Sequence, residues 1–183
     1  MIDESISAWF QANHHPQLTR VMLVFTHWHS TAGLLAMAAA VGLFLLLTRR
    51  PWWLLALLVS VPGGMLLNVT LKHMVQRTRP SFDNPLLTLS TYSFPSGHAA
   101  GSTLFYGFLV ALLLSQVESP PWRATILFVA VVMVLLVATS RVYLGVHYFT
   151  DVVVGIVVGM LWLGACLAGV RNLWRGRASG APR

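Results

Sequence analysis

Five stretches of this chain stay apolar over lengths that match the thickness of a bilayer. They cover residues 31–48, 52–72, 97–115, 123–141 and 148–169, and a helix needs about 20 apolar residues to cross the hydrocarbon. Lipid offers no water to backbone N–H and C=O groups, so a spanning segment must satisfy them internally, as a helix does. The expected fold class is therefore all-α: a polytopic membrane helical bundle of about five transmembrane helices plus an N-terminal interfacial helical segment. Composition agrees, with 56% hydrophobic and only 9% charged residues, where a soluble globule carries about 25% charged. No room is left for a second domain. Residues 1–174 are read as one membrane domain with an interfacial segment over 1–30, and the tail 175–183, rich in Arg, Gly, Ala and Pro, is read as disordered.

The formal net charge of +7 does not point to nucleic acid, because the basic residues lie between apolar runs rather than on one polar stripe with interleaved aromatics. Membrane orientation and anion binding account for them better. One set of span ends carries Arg49, Arg50, Arg123, Arg171, Arg175, Arg177 and Arg183; the opposite ends carry Arg20, Lys72, Arg77, Arg79 and Arg141. If Lys72, Arg79 and Arg141 are set aside as chemical, the bias places the C-terminus in the cytoplasm. With five crossings, the N-terminus is then outside. The chain opens on Met1, Ile2, Asp3 and Glu4, without a basic n-region, so no cleavable signal peptide is expected.

Residues 2–29 are more polar, are interrupted by Pro16, and read as one or two helices lying in the interface. Trp28, Trp52, Trp53, Trp122 and Trp174 fall near span ends, as in an interfacial aromatic belt. Cys166, the single cysteine, excludes a disulfide framework or a cysteine metal cluster. His27 and His29, two apart, do not share a helical face and are read as packing residues rather than metal ligands. Asn68 and Thr70 are placed to hydrogen-bond across helices. The Gly155 and Gly159 pair permits close helix contact, read as packing within the chain rather than a dimer interface. A homodimer is left undetermined.

Ionisable groups at span ends are costly and mark function by default. Here they form three clusters, all at one membrane side. In the first, Lys72 and Arg79 would share a helical face about 10 Å apart if the helix continued to Pro80. Alone, a basic residue there reads more often as a snorkelling anchor. In the second, Pro95, Ser96, Gly97 and His98 open an apolar run, and a serine cap, a glycine and a helix N-terminus suit an anion. Alone, this is also an ordinary helix start. In the third, His147 and Asp151 are four apart, so a helix starting near Val146 would set the carboxylate beside the imidazole and turn its other nitrogen outward. A structural His–Asp hydrogen bond is the alternative. Convergence decides: one anion site explains all three clusters, whereas structural readings must each hold separately.

These residues fall into three motifs, KxxxxxxRP over Lys72–Pro80, PSGH over Pro95–His98 and SRxxxxxHxxxD over Ser140–Asp151. The chain thereby resembles the type-2 phosphatidic acid phosphatase superfamily of membrane lipid phosphatases, which shares its site with glucose-6-phosphatase and vanadium haloperoxidases. The resemblance implies that His147 attacks phosphorus and forms a phosphohistidine, that Asp151 orients it, and that His98 protonates the leaving oxygen and later activates water. It implies that Lys72, Arg79 and Arg141 hold the phosphoryl oxygens with Ser96 and the backbone near Gly97, and that neither metal nor cofactor is needed. Three fixed cations can supply the charge neutralisation that phosphoryl transfer demands. Two departures stand out. Ser81 follows Pro80 where many relatives carry arginine, and the first transmembrane helix of six-span relatives is absent from the pattern.

The function expected is hydrolysis of a lipid phosphate or pyrophosphate at the outer surface of a bacterial cytoplasmic membrane. The partners expected are membrane lipids and the lipid phosphate substrate. An isoprenoid diphosphate such as undecaprenyl pyrophosphate is the first choice, with phosphatidylglycerophosphate or phosphatidic acid next. A vanadium haloperoxidase and an anion transporter are the remote alternatives.

Overall fold

The structure, a computed structural model, describes residues 2–82 and 85–179. Seven helices follow in order: α1 (Ile2–Ala12), α2 (Pro16–Trp28), α3 (Thr31–Leu47), α4 (Pro51–Val75), α5 (Gly97–Leu114), α6 (Pro120–Tyr143) and α7 (Phe149–Ser179). The last five follow the five apolar stretches. Their starts are marked by sequence: Ser30 and Ser96 cap α3 and α5 with their hydroxyls, and proline opens α2, α4 and α6. At a first helical position proline loses no hydrogen bond and brings a helical φ. The helix α7 runs on through Ser179, so the basic tail expected to be disordered from Arg175 is helical over its first five residues. A long preceding helix supplies the nucleus, and each further arginine or alanine extends it at little cost. Residues 180–183 lie outside the described residues.

Among the described residues, α4, α5, α6 and α7 are each long and apolar enough to cross a membrane, and α2 with α3, bent by 50°, makes a fifth candidate. The bend depends on Gly33. A Cβ there would stand 2.1 Å from the Trp28 carbonyl oxygen, so only glycine lets the two helices meet this closely. Residues 2–28 thus form two helices, the second joined to α3 at a bend across His29 and Ser30.

The helix α5 sits at the centre, packed on α3, α4, α6 and α7. Leu34, Leu45, Leu57, Val61, Leu104, Phe108 and Leu163 form the main core, while Leu58, Leu66, Leu135 and Leu161 point outward, where lipid replaces water. Apolar side chains gain little by leaving lipid for each other, so close fit holds such helices together. The glycines of α7 provide it. A Cβ on Gly155 would lie 2.7 Å from the Ser96 carbonyl oxygen, and one on Gly159 would lie 3.1 Å from that of Ala100. This pair therefore seats α7 on the first turns of α5.

A Gly155→Ala exchange forces two backbones apart and should lower stability by about 1–3 kcal/mol. Gly164→Ala, where nothing lies within 4 Å of the new methyl, should leave it unchanged. Thermal unfolding of the two variants in detergent checks this; equal midpoints would contradict the packing account.

Candidate active site

The C-termini of α4 and α6 and the N-termini of α5 and α7 meet at one end of the bundle, joined there by α1, α2 and the segment after α4. The helix α4 stops sooner than the motif spacing suggested. It ends at Val75, and Gln76 takes the left-handed conformation (φ +53°) with its N–H on the Lys72 carbonyl at 3.0 Å. Pro80 disfavours helical backbone at Arg79, so Lys72 and Arg79 do not share a helical face. They meet instead over one stretch of the returning chain. Lys72 Nζ donates to the carbonyls of Tyr92 (2.8 Å) and Ser93 (3.3 Å). Arg79 donates to the carbonyls of Thr91 (2.7 Å), Tyr92 (3.0 Å) and Val146 (2.5 Å).

Ser96 begins α5 with its hydroxyl turned to the Ala99 N–H, and its own N–H donates to the Asp151 carbonyl at 3.0 Å. This buried hydroxyl serves the helix start, as a serine cap should. Gly97 marks a close approach of α5 to α4: a Cβ would lie 3.2 Å from Asn68 Oδ1 and 4.0 Å from Lys72 Cε. His98 follows, half-buried, and with Arg141 it lines a cavity of about 530 Å³ walled by Leu23, Val24, Leu87 and Leu89. A lining that combines polar groups with apolar side chains suits an amphiphile.

Arg141 is only 1% exposed. Its Nη1 donates to Thr26 Oγ1 of α2 at 2.7 Å, and its Nε has no hydrogen-bond partner. Among the described residues, no carboxylate pairs with Lys72, Arg79 or Arg141; the ion pairs belong to Arg77 and His147.

His147 lies in the turn before α7 rather than on a helix begun near Val146. Gly145 takes φ +69°, a left-handed conformation that suits glycine, and the helix starts at Phe149. The pairing survives because Asp151 reaches back from the first turn. Its Oδ2 accepts the Tyr148 N–H at 2.9 Å, as in one half of a capping box, and stands 3.4 Å from His147 Nδ1. The other ring nitrogen, Nε2, lies 3.3 Å from Arg79 Nη1. Burial pushes the His147 ring down to about 4; Asp151 opposes this, while the charges of Arg79, Arg141 and Lys72 add to it. Near neutrality the ring is therefore uncharged, with Nδ1 toward the carboxylate and an Nε2 lone pair among the cations.

Three contributors escaped the sequence reading. Ser93 is fully buried and gives its hydroxyl to Asp151 Oδ2. Arg77, counted above with the topological charges, bonds Asp151 Oδ1 at 2.7 Å and Asp3 Oδ2 at 2.9 Å. Thr26 supplies the one hydroxyl on Arg141. A usable signal existed for Arg77: in a chain with five acidic residues, Asp3 and Asp151 fall at the membrane end that also holds this arginine. Ser93 and Thr26 carried none. Of the other polar residues, His29 packs as expected, bonded to the Phe25 carbonyl and to Tyr106 Oη, each at 2.8 Å. Thr70 bonds the Leu66 carbonyl of its own helix, and Asn68 Nδ2 is buried without a partner, so neither bridges helices as anticipated.

Comparison with known proteins shows the family. Residues 52–175 match the PAP2 superfamily. Phosphatidylglycerophosphatase B of Bacillus subtilis is 34% identical over 160 residues, 87% of this chain and 78% of the relative. A decaprenylphosphoryl-5-phosphoribose phosphatase of Mycolicibacterium smegmatis is 38% identical over 132 residues, 68% of this chain and 63% of its own length. The crystal structure of a transmembrane PAP2-type phosphatidylglycerolphosphate phosphatase from Bacillus subtilis superposes with a TM-score of 0.83 at 32% identity, covering 93% of this chain and 85% of that one. A buried His–Asp pair among three cations without carboxylate partners, on a bundle of this shape and sequence, makes this chain a member of the PAP2 superfamily and an integral membrane phosphatase.

Proposed function

We propose that the chain removes the terminal phosphate of a glycerophospholipid of the phosphatidylglycerophosphate class, without a metal, through a phosphohistidine at His147. The observation that carries the reading is Arg141. A guanidinium buried to this degree, with a threonine hydroxyl as its hydrogen-bonded partner and Nε unsatisfied, favours an anion beside it. Lys72 and Arg79 add two further cations around the same histidine.

In this scheme the phosphoryl oxygens lie among Lys72, Arg79, Arg141 and the first N–H groups of α5 near Gly97. His147 Nε2 attacks phosphorus in line, a P–N bond forms, and the P–O bond to the lipid breaks. His98 gives a proton to the departing oxygen. The ring becomes cationic, and Asp151 stabilises it through Nδ1–H. His98 then takes a proton from water, which cleaves P–N and releases inorganic phosphate. The cavity of His98 and Arg141 leaves space for the glycerol, and its leucine walls let the acyl chains stay in lipid.

The substrate class differs from the isoprenoid diphosphate favoured by the sequence. Support for a glycerophospholipid comes from the Bacillus subtilis sequence and crystal structure, each similar along most of this chain. The mycobacterial relative acts on a prenyl-linked sugar phosphate, and it keeps a prenyl monoester as the second reading. Orientation follows from charge: Arg49, Arg50, Arg123, Arg171 and Arg175 lie at the end opposite the site, which favours a cytoplasmic C-terminus and an outward-facing site.

Phosphate release by the purified chain from phosphatidylglycerophosphate, phosphatidic acid and a prenyl diphosphate, each with chelator present, tests the proposal. The first should give the highest kcat/KM, His147→Ala should be inactive, and His98→Ala should lose about 10²–10⁴-fold in kcat. Loss of turnover on chelation would refute the metal-free route, and preference for the prenyl diphosphate would refute the substrate class.

Nitrogen NMR of the His147 ring, identified by its disappearance in His147→Ala, should show protonation near pH 4, and Asp151→Asn should lower it further by removing the group that raises it. A midpoint near the ordinary 6.5 would contradict the buried, cation-facing ring. In intact cells an impermeant thiol reagent should label His14→Cys, at the site end, and should reach Gln116→Cys, at the other, only after permeabilisation. The reverse pattern would invert the topology.

A further inference from the structure

We propose that Arg77, held by Asp3 of α1, is a positioning residue for the His147–Asp151 pair, so that docking of the N-terminal helix completes the active site. The proposal rests on the reading of His147 as nucleophile and Asp151 as its orienter.

Asp151 is fully buried, and its two oxygens are held differently. Oδ2 takes the Ser93 hydroxyl and the Tyr148 N–H and faces the ring, whereas Oδ1 is bonded among the described residues by Arg77 Nη1 alone. A carboxylate turns about a broad two-fold torsion. Without Arg77, Oδ1 would be a buried charged oxygen with no donor, and turning away from the ring would be its escape from that cost. Arg77 is itself fixed on three sides. Nη1 also meets Thr150 Oγ1 at 2.8 Å, Nη2 meets Asp3 Oδ2 at 2.9 Å, and the guanidinium carbon lies 4.2 Å above the Tyr148 ring. Only a planar fork holds two carboxylates in this way.

Asp3 does more than hold Arg77. It accepts the Thr150 N–H at 3.0 Å and the Thr150 hydroxyl at 2.5 Å, so a side chain of α1 satisfies the opening turn of α7. It also balances charge. The groups that face His147 are Lys72 from α4, His98 from α5, Arg79 from the segment after α4, Arg141 from α6 and Asp151 from α7. Asp151 is the one negative group in that set, and an unbalanced Arg77 at 2.7 Å would offset much of its field at the ring. Asp3, on the far side of Arg77, prevents this.

The same helix faces the membrane. Asp3 and Ser7 are buried against the bundle, while Ile2 and Trp9, seven residues apart, are 68% and 61% exposed. The helix packs on the bundle through Asp3, Ile6, Ser7 and Phe10, and it can leave only by releasing Asp3 from Arg77 and Thr150. Its docking is thereby coupled to the nucleophile.

The test compares the full chain in detergent as wild type, Asp3→Asn, Arg77→Gln, the double variant and Asp151→Asn, measuring kcat, KM, the unfolding midpoint and the His147 ring titration. Arg77→Gln should cost about 10–100-fold in kcat, by analogy with the loss when hydrogen-bonding partners of metal ligands are removed, with KM unchanged. Asp3→Asn should cost less, and the double variant no more than Arg77→Gln, because Asp3 acts through Arg77. The ring pKa should fall in Asp3→Asn, where Arg77 is left unbalanced beside Asp151. Losses of kcat that track the unfolding midpoint while the ring titration stays put would overturn the proposal in favour of simple stability. An inactive Asp151→Asn beside fully active Arg77→Gln and Asp3→Asn would overturn it alone; a fully active Asp151→Asn would overturn the underlying reading of the site as well.

Discussion

A charge carried into a helical bundle must be answered, and the arrangement at the active end follows from how few carboxylates are there to answer it. Lys72, Arg79 and Arg141 converge on a region whose buried carboxylate, Asp151, is already committed to His147, Ser93, Tyr148 and Arg77. The three cations therefore face a shortage of negative charge, which the proposed phosphate would supply. Burial keeps His147 unprotonated, and the charges of Arg79, Arg141 and Lys72 add to its effect.

Holding such groups together requires helices that cannot drift. The bundle achieves this with small residues rather than with greasy ones, since Gly155 and Gly159 place the backbone of α7 against the backbone of α5. That contact fixes the Ser96 carbonyl, and the Ser96 N–H in turn bonds the Asp151 carbonyl. The starts of the two helices that carry His98 and Asp151 are thus locked to each other directly. The long cationic side chains reach in from elements further out, where more freedom is tolerable.

How far this could be read in advance depended on the range of the forces involved. Spans were legible because hydropathy acts over some twenty residues and is insensitive to detail. The site cations and histidines were legible because an ionisable group at a span end is expensive enough to need a reason. The stop of α4 at Val75 and the start of α7 at Phe149 were not, for both turn on single left-handed residues, Gln76 and Gly145, whose effect is local. Arg77 was assigned to topology because its partners are separated from it by 74 positions in either direction. Ser93 and Thr26, neutral and short, have no signature until the chain is folded around them.

The bend between α2 and α3 reaches further than its place in the fold suggests. Gly33 lets the Trp28 carbonyl sit where a side chain would otherwise stand, and so sets the direction in which α2 leaves the first span. Thr26, two residues before Trp28, holds Arg141. A methyl group at position 33 would press on that carbonyl, and the displacement would pass along α2 to the hydroxyl on the guanidinium proposed to hold phosphate.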